Sequence, residues 1–326
     1  MPTAPIGRPG PSGGPGARAA RRRSGGWPAA FRPVPACNLA AWHLNNSLYE
    51  LIIRFMNLFW ASPRRVSRPA RAMKATDPLF VTALARGLEV LRCFTPARGE
   101  LGTTEIARLT GLPQPTVWRL CKTLAALGYL VPTANDKLRV GAAALLLGYA
   151  VVAQTGINDY AVPLMKAAAD ALGTTVLLAE RHEASMVVIQ RCEPAQVRRV
   201  MLHIGSTVGL TDSSLGLAYL AAQPPAERER IIAGLQAEGR WDAGGGPGRL
   251  RAALDDYQRH GAVFMRYPQE NFTAIGVPVQ PADRHRTLVL TCGASDALFT
   301  DAHVAATVAP TLKRLAAELA PLLIRR

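Results

Sequence analysis

Residues 105–130 read EIARLTGLPQPTVWRLCKTLAALGYL, and five side chains there could do chemistry together: Gln114, Thr116, Trp118, Arg119 and Lys122. A glutamine amide can pair bidentately with the edge of adenine, and an arginine guanidinium with that of guanine. Threonine and lysine can hold phosphate oxygens. Trp118 offers an apolar face to a thymine methyl or a sugar, or else packs beneath a neighbouring hairpin. Reading a duplex requires such groups on the first turns of a helix entering the major groove. A solvated face of an ordinary helical bundle is the competing interpretation.

The surrounding residues can position that set. Ile106 and Ala107 face inward on one short helix, Gly111 follows, and Val117 and Leu120 lock a second helix onto the first. This spacing predicts a helix-turn-helix, with Gly111 in the left-handed conformation its turn needs. Pro113 and Pro115 are tolerated because the first helical turn has no intrahelical N–H bonds to lose. Thr103 or Thr104 is expected to cap the first helix, with Glu105 in its first turn. An earlier helix is marked by Phe80, Leu84, Leu88, Leu91 and Phe94. Downstream, GYLVPTANDKLRVG reads as a hairpin, a wing whose Lys137 and Arg139 would reach a flanking phosphate or the minor groove. The DNA-binding unit is thus expected over 73–141. Residues 142–156, with AAALLLGYAVVAQ, form an apolar linker helix expected to be buried against a partner subunit or the next domain, or within a monomer core.

Charge supports a polyanion partner for the front half. Of the net +15, residues 1–72 carry +10 and 73–150 carry +4, leaving 151–326 nearly neutral. The five cysteines, at 37, 93, 121, 192 and 292, form no CxxC pair and no zinc pattern, so no metal and no cofactor is expected, and reducing cytoplasm is the expected compartment. HExxH and phosphate-loop motifs do not occur. The first 72 residues are rich in Pro, Gly, Arg and Ala and are expected to be disordered. Within them, LNNSLYELIIRFMNLFW is too short and too polar to span a bilayer. An interfacial helix is one reading of it. The reading preferred here is that Met73 is the native start and the preceding residues are translated upstream sequence.

Residues 157–326 alternate helices with strands rich in Val, Leu and Ile, an antiparallel α+β pattern. The candidate site is TDSSLG, where Ser213 and Ser214 open a helix whose N–H groups could seat a carboxylate. Serines at helix starts also serve simply as caps. An enzyme would need Cys292 as nucleophile with His203 or His285 as base, and no spacing links these residues.

The blocks LARGLEVLRCF, EIARLTGLPQPTVWRLCKTLAALGYL and TDSSLGLAYLA…GVPV…LVLTCGA together resemble the isocitrate-lyase-regulator (IclR) family of bacterial transcription regulators, over about residues 79–324. The resemblance implies an α+β protein: an N-terminal winged helix-turn-helix, a linker helix and a C-terminal GAF-like effector domain. It also implies homodimers or dimers of dimers on double-stranded palindromic operators, with small organic acids as effectors; from the residues themselves, neither catalysis nor a membrane partner is expected. Carried over block by block, the effector cavity would be lined by Val200, Ser214, Leu215, Ala274 and Cys292. Ser213 is added for its hydroxyl and Asn271 on chemistry alone. Ser214 stands where family members often have glycine, Leu217 where many have lysine after Gly216, and the loop MRYPQEN is short. The alternative is a small-molecule-binding or enzymatic α+β protein whose helix-turn-helix serves only assembly.

Overall fold

The computed structural model describes residues 79–154, 160–195, 202–241, 245–281 and 286–322. The 1–72 extension, Val200 and His285 lie outside the described residues, as does most of the third strand expected at RRVMLHI.

Helix α1 (Thr82–Arg92), strand β1 (Glu100–Leu101), α2 (Thr103–Thr110), α3 (Gln114–Ala126), β2 (Leu130–Pro132) and β3 (Leu138–Val140) make the first unit. Val90, Cys93, Leu101, Ile106, Leu112, Val117, Cys121 and Leu130 are its buried core. Gly111 ends α2 at φ +68°, its N–H donating to Ala107 O at 2.8 Å, a backbone that favours glycine. Pro115 sits inside the first turn of α3, where no helical bond is lost. The expected threonine cap is corrected: Gly102 is the N-cap, and its N–H donates to the Glu105 carboxylate at 2.8 Å. Thr103 and Thr104 already lie within the helix. Strand β1, too short to show a period, joins the wing in the order β1-β3-β2. The wing turn places Asn135 and Asp136 at positive φ, and Thr133 N–H donates to Lys137 O at 2.8 Å.

Helix α4 (Ala143–Gln154) follows, with Leu145, Leu146, Leu147, Tyr149 and Val151 exposed. It is therefore no part of a monomer core.

The second unit opens with α5 (Val162–Leu172), β4 (Val176–His182), β5 (Ser185–Cys192) and β6 (Thr207–Gly209). Then come α6 (Ser214–Ala222), α7 (Pro225–Ala237), α8 (Gly246–His260) and β7 (Val263–Tyr267). Strands β8 (Phe272–Val279) and β9 (Leu288–Ser295) precede α9 (Asp301–His303), a π-helical stretch (Val304–Val308) and α10 (Ala309–Leu319). All strands pair antiparallel in the order β6-β5-β4-β9-β8-β7. Pairing runs to His182 and Ser185, leaving Glu183 and Ala184 as the β4–β5 turn, tighter than the sequence suggested.

Each face of this sheet carries its own core. One face, with Val176, Leu178, Ile275, Val277, Leu288, Leu290 and Cys292, packs under α5 and α10. The other, with Ala179, Val263, Met265 and Val289, packs under α6 and α8. Helix α6 lies so close that a Cβ at Gly276 would stand 2.4 Å from Ser214 O. Only glycine permits that approach.

Candidate nucleic-acid interface and effector site

The structure brings four of the expected DNA-facing residues onto one side of α3. Gln114, Trp118 and Lys122 form an i, i+4 ridge with Arg119 beside it, and all four are exposed. Thr116 is half-buried at the edge of that side. Gln114 Nε2 donates to the Thr104 hydroxyl at 3.1 Å, tying the start of α3 to the start of α2. Thr104, expected from the sequence only as a possible cap, is thus the partner that holds the Gln114 amide. Trp118 is 54 % exposed, so it does not pack beneath the wing. The Lys122 ammonium lies 5.4 Å from its ring centroid, within cation–π range.

The two wing residues part company. Lys137 stands at the exit of the wing turn. Arg139 is on the middle strand, directly opposite Glu100 of β1 and Val131 of β2. Its guanidinium donates to Val140 O at 3.4 Å. Arg139 is exposed and Lys137 half-buried, and of the two only Arg139 has an acid, Glu100, opposite it in the strand pairing.

In the second unit, strand register decides which residues share a face, because directly paired residues of antiparallel strands project to the same side. Met265, Ala274 and Gly293 form one such row; Gly276, Thr291, Leu177 and Arg191 form the next, on the α6 side. Cys292 pairs with Ile275 and Val176 and belongs to the opposite face. The expectation that Cys292 lines a cavity with Ser214 and Ala274 is therefore corrected; its neighbour Thr291 is the residue that shares their face. Burial pushes the Cys292 thiol far up, which leaves it a core hydrophobe and no nucleophile. His203, the described half of the imagined base pair, is exposed.

The hydroxyls at the start of α6 are already committed. Ser213 Oγ donates to Gly209 O at 2.6 Å and accepts from Gly216 N–H at 3.0 Å, a helix cap. Thr291 Oγ1 donates to Ile275 O at 2.7 Å, which spends its single proton. The 3.0 Å contact between Ser214 and Thr291 is then Ser214 donating. Neither serine has a proton left for a carboxylate, so the expected hydroxyl donor is corrected as well. Leu215 is buried in the α6 core. Asn271 is exposed at φ +47°, a turn residue whose carbonyl accepts from Asp296 N–H at 2.9 Å.

Two residues on this face escaped the sequence reading. Tyr267 lies in phase with Val263 and Met265; its hydroxyl donates to Asp212 O at 3.4 Å, and burial pushes its pKa up. Arg191 is the second. It projects to the α6 side two strands from Thr291, about 10 Å at ordinary strand spacing. There it pairs with Glu193 and, with His203 and Ile204, borders a hollow of about 420 Å³. An arginine inside the apolar run SMVVIQRC was the available clue. Among the described residues no group of three His, Cys, Asp or Glu side chains could hold a metal ion, and no helix is long and apolar enough to cross a membrane.

Comparison with known proteins follows the same two-unit division. Residues 83–134 match the IclR helix-turn-helix domain, and residues 149–320 match the C-terminal domain of IclR bacterial transcriptional regulators. An IclR family transcriptional regulator from Brucella abortus, of known structure, is 35 % identical, covers 74 % of this chain and 92 % of its own, and superposes with a TM-score of 0.66. The HTH-type transcriptional regulator TsaQ1/TsaQ2 of Comamonas testosteroni is 35 % identical over 193 residues, 57 % of this chain and 68 % of that protein. An IclR homolog from Microbacterium hydrocarbonoxydans, solved with 4-hydroxybenzoate, shares the fold at 19 % identity and a TM-score of 0.56, covering 74 % of this chain and 98 % of its own.

Proposed function

The chain belongs to the IclR family of bacterial DNA-binding transcriptional regulators, and we propose that it works as a symmetric homodimer, alone or paired into a dimer of dimers, that reads a palindromic operator and answers to a small organic acid. The observation that carries this reading is the exposed ridge of Gln114, Trp118 and Lys122, with Arg119 beside it, on a helix held by a rigid turn. The exposed leucines of α4 supply the dimer contact, since an apolar helix left in water favours a copy of itself. We assign residues 73–141 to DNA binding, 142–156 to the coupling helix and 157–326 to effector binding. A bacterial operator lies in the cytoplasm, where we place the protein.

The effector site lies on the α6 face of the sheet, between the Ser214–Thr291 pair and Arg191. An acid would exchange its carboxylate for that of Glu193 on the Arg191 guanidinium, a bidentate pairing that neither serine can offer. Leu177 and Ala274 on the same face suit an apolar or aromatic body. The relative bound to 4-hydroxybenzoate supports that ligand class. The test is a titration of the full chain on its enriched operator with a panel of aliphatic and aromatic carboxylates. At least one acid should shift operator affinity, and Arg191→Gln should abolish the shift while leaving acid-free binding intact. A full response from Arg191→Gln would remove Arg191 from the site; no response to any acid would remove the ligand class.

A further inference from the structure

Resting on the reading of α3 as the duplex-facing helix, we propose that Trp118 fixes one A·T pair in each operator half-site by packing its indole against the 5-methyl group of thymine. Trp118 occupies the middle of the exposed ridge, with Gln114 one turn before it and Lys122 one turn after. Gln114 has its amide N–H turned back to Thr104. The Lys122 ammonium is drawn over the indole, which restrains the ring and sets a cation beside it for the phosphate backbone. The ridge therefore leads with a large apolar surface, 54 % exposed in the free protein and costly to leave in water.

Base chemistry selects the partner. An indole has one N–H donor and no acceptor. In the major groove only thymine shows a methyl group, and it stands beside the O4 acceptor. Cytosine shows an amino donor that the indole cannot satisfy, adenine shows one beside its N7, and guanine shows no apolar group. Arg119 and Lys122 bring the charge that such a surface needs against DNA, which argues against a protein partner at the same place.

The experiment enriches a duplex from a random library with the full chain, then replaces each thymine singly by deoxyuridine, which lacks only the methyl. One thymine per half-site should lose about fourfold in affinity, the equivalent of one buried methyl group, and about fifteenfold when both half-sites are changed. Trp118→Ala should bind thymine and deoxyuridine equally at that position, and Trp118→Phe should keep part of the difference. Insensitivity of the wild type to every deoxyuridine, or undiminished sensitivity in Trp118→Ala, would overturn the assignment. If no sequence is enriched, the DNA-reading role of α3 fails first and this inference falls with it. Enrichment without any methyl effect sinks the inference alone.

Discussion

Leu146→Glu is the perturbation that reaches furthest into the proposed assembly. Leu146 is 71 % exposed in the monomer, beside Leu145 at 74 % and Tyr149 at 69 %. Fully burying a leucine side chain stabilises by about 1.5–3 kcal/mol, so covering what Leu146 exposes is worth about 1–2 kcal/mol per protomer. A two-fold axis buries the residue twice, giving about 2–4 kcal/mol for the dimer. Losing that raises the dissociation constant about 30- to 1,000-fold. The glutamate adds two carboxylates to desolvate, which pushes the effect to the upper end. Sedimentation equilibrium over a concentration series measures this directly, with far-ultraviolet circular dichroism to verify that the monomer stays folded. Operator affinity should fall in parallel, because half of a palindrome is left without its partner. If Leu146→Glu dimerises with wild-type affinity, α4 is not the seam and its exposed leucines need another explanation.

Arg119→Ala should weaken operator binding by about 1–3 kcal/mol and relax discrimination at one base pair; equal losses on operator and random duplexes would mean a phosphate contact only. Gly276→Ala places a Cβ 2.4 Å from Ser214 O and 2.9 Å from the Ala218 methyl, so it should prise α6 from the sheet at a cost of about 1–3 kcal/mol, and an unchanged melting temperature would contradict that packing. Burial pushes the Cys93 and Cys121 thiols up from 9.0 to about 11 in the folded core. The unfolded chain therefore loses those protons first, and stability should fall as pH rises from about 9 through about 11. Urea melts at pH 7 and pH 10.5 would show it, and a Cys93→Ala/Cys121→Ala variant should have the shallower dependence.

What could be read from the sequence followed the range of the interaction. The helix-turn-helix was legible because its determinants are local: Gly111 for a left-handed turn, two prolines in one helical turn, and apolar residues at helical spacing. The wing was legible for the same reason. Strand β1 was not, because its two residues carry no period and it exists only by pairing with β3. The effector face failed on parity. LVLTCGAS is buried nearly throughout, since both faces of its sheet are covered, and burial on both sides erases the alternation that would tell one face from the other. Cys292 was carried over from the family resemblance, and a run without alternation offered nothing to test it against Thr291 or to single out Arg191. Hydroxyl commitments were out of reach as well, because Ser214 is separated from its acceptor Thr291 by 77 residues.

The central claim, sequence-specific DNA binding through α3, is tested most directly by titrating the full chain against its enriched duplex and a scrambled duplex across a salt series. The account expects the enriched site to bind at least about a thousandfold more tightly. It also expects log affinity to fall linearly with log salt, by about 0.9 for each phosphate contacted. Arg119→Ala should narrow the gap between the two duplexes. Equal affinity for both sequences, or affinity indifferent to salt, would contradict it.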